Sequence, residues 1–116
     1  MKSYPSEKNA MGTIRYNEDV IKAMVGMALN EIEGVAGMEG RGTGNILGRK
    51  YLSHVNKIAV EEKRVSLDLS IVVKYGLPLR DVARQVQQKV KEIIESMTDL
   101  EVGAVNITVS GLDFNE

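Results

Sequence analysis

The residues with the best claim to chemistry lie in Gly40-Arg41-Gly42-Thr43-Gly44-Asn45-Ile46-Leu47-Gly48-Arg49-Lys50-Tyr51. Backbone N–H groups of a glycine-rich run can converge on an anion, and Arg41, Arg49 and Lys50 can add charge-assisted bonds to phosphate. The spacing fits neither familiar phosphate loop. A Walker-type loop needs four residues between its glycines and then Lys-Ser/Thr. Here Gly44 and Gly48 enclose three, and Arg49-Lys50-Tyr51 follows. The dinucleotide pattern G-x-G-x-x-G fails as well, because Gly42-Thr43-Gly44 meets its next glycine, Gly48, one position late. Residues 40–51 therefore read first as a Gly-rich connector. The second reading is an anion or partner-binding loop built on Arg41, Gly42, Gly44, Arg49 and Lys50.

Other candidates are thinner. Gly34-Val35-Ala36-Gly37 and Gly37-Met38-Glu39-Gly40 match the G-x-x-G clamp of a KH domain, but that clamp must lie between two helices. Here Gly34 is expected to end a helix, and strand-like residues follow it. Aromatic residues make up 4% of the chain, with no tryptophan, which leaves little for base stacking. Tyr51 and Tyr75 are the stackers in the folded region, and Tyr75 falls on the inward register of its strand. His54 is the one histidine, and a general base needs an orienting partner, so it reads as a surface residue in a polar connector. With no cysteine and one histidine, neither a thiolate site nor a histidine-rich metal centre is available. No cofactor, no metal site and no catalytic set is expected, and the chain reads as no enzyme.

Fifteen basic residues against sixteen acidic ones give a net charge of −1, so no global field draws the chain onto nucleic acid. Nucleic acid is thus not an expected partner. An anion or nucleic-acid binding module using the basic loop remains the alternative reading. Met1 to Ala10 has no apolar h-region, and no run approaches the ~20 apolar residues that span a bilayer. The expectation is a cytoplasmic protein without direct membrane insertion.

The elements that would position any site are clearer. Val65, Leu67, Leu69, Ile71, Val73 and Tyr75 alternate with Ser66, Asp68, Ser70, Val72 and Lys74, the pattern of a half-buried strand. After Gly76-Leu77-Pro78, the set Leu79, Val82, Ala83, Val86, Val90, Ile93, Ile94 and Met97 falls on one helical stripe. Val105, Ile107 and Val109 then alternate with Asn106, Thr108 and Ser110. Upstream, Thr13–Tyr16 reads as a short strand. Asn17 caps a helix with Val20, Ile21, Met24, Met27, Ala28 and Ile32 inward, and Gly34 ends it. Val35–Glu39 and Lys57–Glu61 read as strands, with Glu62-Lys63 as a hairpin turn.

The order is β-α-β-β-β-α-β. It predicts an α+β two-layer sandwich with two helices on one face of a mixed sheet, closest in order to a ferredoxin-like arrangement. Residues 1–11 read as a flexible N-terminal lead and residues 12–116 as a single domain. Two surfaces are free for protein contacts. One is the outer face of the second helix: Arg80, Arg84, Gln87, Gln88 and Lys91. The other is the outer sheet face: Ser66, Asp68 and Ser70, with Val72 breaking the polar row.

Several segments also resemble the bacterial alkaline-shock, or envelope stress response, family. They are Gly12-Thr13-Ile14, Glu31-Ile32-Glu33-Gly34-Val35-Ala36-Gly37-Met38 and Leu47-Gly48-Arg49-Lys50. Val72-Val73-Lys74-Tyr75-Gly76, Val82-Ala83-Arg84-Gln85-Val86-Gln87 and Val105-Asn106-Ile107-Thr108-Val109-Ser110-Gly111-Leu112 follow in order. The resemblance covers roughly residues 12 to 114. It implies a cytoplasmic, non-enzymatic scaffold of Gram-positive bacteria that self-associates as a homo-oligomer. It also implies a membrane-anchored protein partner that holds the chain at the periphery of the membrane. The chain lacks the long charged tail of some stress-induced members, so the resemblance bears more on fold than on a stress role.

Overall fold

The computed structural model describes residues 6–36 and 52–114, with side chains from residue 10 onward. The elements are β1 (Ser6–Asn9), β2 (Gly12–Arg15), α1 (Glu18–Asn30), β3 (His54–Glu61), β4 (Arg64–Lys74), α2 (Leu79–Met97) and β5 (Glu101–Asp113). β1 and β2 form a two-stranded antiparallel sheet. The main sheet has the order β3-β4-β5, with β3 antiparallel and β5 parallel to the central β4. A parallel pair needs a long crossover, and α2 supplies it. The mixed α+β architecture is the one the hydrophobic periods predict.

β4 is the centre because its inward side chains have partners on every side. Val65, Leu67, Leu69, Ile71 and Val73 are all buried, in one cluster with Val82, Val86, Val90 and Ile94 of α2. α1 adds Ile21, Met24, Val25, Ala28 and Leu29 to the same cluster, so both helices cover one face of the sheet. Its start is capped as the sequence implies. The Asn17 side chain accepts the Asp19 N–H at 2.7 Å, and Glu18 and Asp19 place negative charge at the positive end of the helix. α2 has Pro78 at its N-cap and no side-chain cap there. Its far end is fastened by Thr98, whose hydroxyl donates to the Ile94 carbonyl and accepts the Leu100 N–H.

Several expectations need correction. Where an aperiodic lead was expected, Ser6–Asn9 pair with β2 as the first arm of a hairpin. The face of α1 is rotated: Val25 and Leu29 are buried, whereas Val20 and Met27 are each 45% exposed. Between Val20 and Leu29 the helix carries one charge, Lys22, so its apolar period could not choose a face. Leu79 and Met97, the first and last residues of α2, are exposed at the two ends of its apolar stripe. Tyr75 is also exposed, since β4 ends at Lys74 and the alternation no longer applies.

Val35–Glu39 appears as an isolated antiparallel bridge, Val35 to Val73, and residues 37–39 lie outside those described. That bridge has a structural consequence. β3 accompanies β4 along Arg64–Ser70, and Gly34–Ala36 then takes the place beside it. Ala36 N–H donates to the Val72 carbonyl at 2.9 Å, and Lys74 N–H donates to the Gly34 carbonyl at 2.7 Å. Ser53 fills the gap between the two neighbours by accepting the Val72 N–H. Val72 is therefore buried to 1% exposure, not free on an open face.

Candidate partner-docking groove

β5 lies at the edge of the sheet, and α2 runs back along it. Between them is a groove of about 440 Å³ lined by Arg84, Gln87, Gln88, Lys91, Val102, Gly103, Ala104 and Val105. Four of the five residues expected on the outer face of the second helix thus line one cleft. Arg80, the fifth, is exposed one turn before Arg84.

Two side chains of α2 bind the strand edge directly. Gln87 donates through Nε2 to the Val105 carbonyl at 2.9 Å, and Glu95 accepts the Val102 N–H at 2.8 Å. Lys91 donates to both oxygens of Glu95, at 3.0 and 2.9 Å. The Val102 N–H, then the Lys91 ammonium, favour the charged carboxylate and hold the Glu95 carboxyl below the usual glutamate pKa. A depressed folded-state pKa contributes stability above the unfolded-state value, and that contribution is lost as pH falls through the folded one. Protection of the Val102 amide, its exchange measured against the unstructured rate at the same pH, should accordingly fall on acidification below the usual glutamate range. In Glu95→Ala that protection should be low already at neutral pH and should not change further on acidification.

The strand has two bulges. Ser66 pairs with Ala104 directly after Val65 with Val102, and Val72 with Gly111 directly after Ile71 with Val109. The unmatched residues are Gly103 and Ser110. Sequence alternation found Val105, Ile107 and Val109 but missed the start of the strand at Glu101, where Leu100 and Val102 are buried. A bulge resets the alternation, and this is the physical reason.

The outer sheet face is less available than its polar residues imply. Ser70 is buried at 7% exposure and accepts from the Asn56 side chain at 2.7 Å. Asp68 accepts from Asn106 at 2.8 Å. Ser66 and Asp68 are half-buried, and with Ser70 and Val72 closed off this face offers only part of the surface expected. His54 is half-buried at the start of β3, opposite Ser70. The loop candidates Arg41, Gly42, Gly44, Arg49 and Lys50 lie outside the described residues. So does the second glycine of the first G-x-x-G match, Gly37.

The two ends of the sheet differ. At one, Lys63 pairs with Asp99 at 3.2 Å and Arg64 with Glu101 at 3.0 Å. At the other, the rings of Tyr75 and Phe114 stack with centroids 4.8 Å apart. Among the described residues, no group of three or more His, Asp or Glu could hold a metal ion. Nor is any helix there long and apolar enough to cross a membrane.

A family model for the ASP23 (alkaline-shock protein) family, with cell envelope-related function, matches residues 6–114. The chain belongs to that family. Among curated relatives, this alkaline-shock family chain is 31% identical over 106 residues to the uncharacterized protein YloU of Bacillus subtilis, covering 87% of this chain and 88% of that one. It is 28% identical over 112 residues to the uncharacterized protein YqhY of the same organism, covering 94% and 83%. A stress response regulator gls24 homolog of Streptococcus pyogenes is 28% identical over 109 residues; these cover 90% of this chain and 61% of the longer relative. No solved structure matches significantly. Of the family segments read from the sequence, one lies in β2, one begins in the connection after α1, one runs from the end of β4 into the turn before α2, and two lie in α2 and β5, the walls of the groove. Residues 37–38 and 47–50 lie outside the described residues.

Proposed function

We propose that this alkaline-shock family chain is a non-enzymatic scaffold or adaptor on the cytoplasmic side of the cell envelope, where it self-associates and binds protein partners. The observation that carries this reading is the groove. Arg80, Arg84, Gln87, Gln88 and Lys91 stand exposed along one helix, beside a strand edge, with long stems suited to covering a partner's apolar surface. The helix also has a sense: Arg80 and Arg84 near its start, Glu92 and Glu95 near its end. Two such helices laid antiparallel bring Arg80 and Arg84 of each near Glu92 and Glu95 of the other, and a second copy would pair there by taking these acids from Lys89 and Lys91. Envelope-related function in the family, and the regulator of stress response among the relatives, support a role in envelope stress or homeostasis. A membrane-anchored partner would bring the chain to the membrane.

Reversing charge at the basic end tests the reading. Arg80→Glu/Arg84→Glu should lower the weight-average sedimentation coefficient at micromolar concentration, with association weakened about tenfold, equivalent to about 1.4 kcal/mol. It should also reduce capture of membrane protein from native cell extracts. Unchanged sedimentation together with unchanged capture would remove this surface from the function.

A further inference from the structure

We infer that the free edge of β5 accepts an added strand from an extended acidic segment of a partner protein, with Arg80 and Arg84 taking its carboxylates. This deepens the adaptor reading and rests on it. β5 has β4 on one side, and from Val102 to Leu112 it contains neither a charged residue nor a proline. Such an edge is a template for pairing, and proteins ordinarily blunt it with lysine, proline, bulges or a covering element. Here the bulges at Gly103 and Ser110 bracket the regular run Ala104–Val109.

The covering is partial. Glu95 and Gln87 occupy the Val102 N–H and the Val105 carbonyl. Backbone groups alternate sides along a strand, so the N–H and C=O of Ile107 and Val109 point the same way as those of Val105. Among the described residues, no side chain reaches them. α2 rises about 1.5 Å per residue and a strand about 3.3 Å. Arg84 and Arg80, one and two turns before Gln87, therefore stand beside roughly Asn106 to Thr108. Both are exposed and, among the described residues, in no ion pair, whereas Lys91 is held by Glu95. Positive charge is free where the edge is free.

A strand added there would turn alternate side chains toward α2 and the others toward Asn106 and Thr108. Carboxylates suit the first set, because they meet two unpaired guanidinium groups. Small polar or β-branched residues suit the second.

The probe is a blocked, fluorescein-labelled peptide alternating Glu with Thr, followed by anisotropy at low salt, with a Lys/Thr peptide as control. The Glu/Thr peptide should bind about tenfold or more tightly than the control and weaken as salt rises. It should also slow amide exchange at Ile107 and Val109. Arg80→Glu/Arg84→Glu should abolish binding, and so should Ile107→Pro, which removes an edge N–H that β4 does not use. Equal binding of both peptides, or bound peptide with Ile107 and Val109 still exchanging freely, overturns the added strand. Failure here with sedimentation and capture still sensitive to the arginine reversal leaves the adaptor reading standing. Failure of all three assays ends both.

Discussion

Leu67→Ala should lower the free energy of unfolding by about 3–5 kcal/mol, the range for a leucine removed from a site that cannot collapse. Leu67 is fully buried at the middle of β4, opposite Ile58 of β3 and Val105 of β5. Its inward side faces the core shared by α1 and α2. Strands hold its flanks and helices its tip, so little can move into the vacated volume. A domain of this size has roughly 5–15 kcal/mol in all, so one truncation removes a large share. Urea denaturation should show a lower midpoint with an unchanged slope, because the surface exposed on unfolding hardly changes. A matched pair checks the face of α1. Val25→Ala, at a fully buried site, should destabilise clearly, while Met27→Ala should fall within about 0.5 kcal/mol. The reverse order would mean that α1 packs with the face its apolar period first suggests.

That pair also shows where the sequence stops being legible. β4 and α2 could be read because polar and apolar residues alternate there with little conflict: Val65 to Ile71 at period two, with Val72 alone out of step, and Val82 to Ile94 at helical spacing. α1 could not be oriented, because Val20, Met24, Val25, Met27 and Leu29 satisfy more than one face. Val72 and Ser70 looked outward, as they do on an isolated strand. Their burial depends on Ser53, Gly34–Ala36 and Asn56, which arrive from distant parts of the chain. The groove was half legible. Arg80, Arg84, Gln87, Gln88 and Lys91 stand out as one helical face, but its use depends on the edge position of β5. Nothing in the composition of Val102–Leu112 distinguishes an edge strand from a central one, except in hindsight the two bulges. An uncharged strand reads as buried, and the helix beside it, bonding at Gln87 and Glu95, covers only its first part.

Gly34→Ala should be the most damaging change outside the core, at about 2–5 kcal/mol. Two effects add. Gly34 holds φ at +88°, where a residue with a Cβ loses about 1–2 kcal/mol. The new methyl would also press on Leu77 Cδ1, and overpacking of that kind costs about 1–3 kcal/mol. The position cannot simply drift, because the Gly34 carbonyl accepts the Lys74 N–H and the next turn of chain supplies Ala36 to Val72. Leu77 is the end of a flexible, partly exposed side chain, so the two effects can be separated. Leu77→Ala should relieve the contact but leave the backbone strain. The double variant Gly34→Ala/Leu77→Ala should thus be less destabilised than the sum of the single variants, keeping about 1–2 kcal/mol from φ alone. Strict additivity would mean that Leu77 yields freely and that strain accounts for the whole loss. In either case slow amide exchange at Lys74 should fail first, since the chain that replaces β3 beside β4 is fastened there.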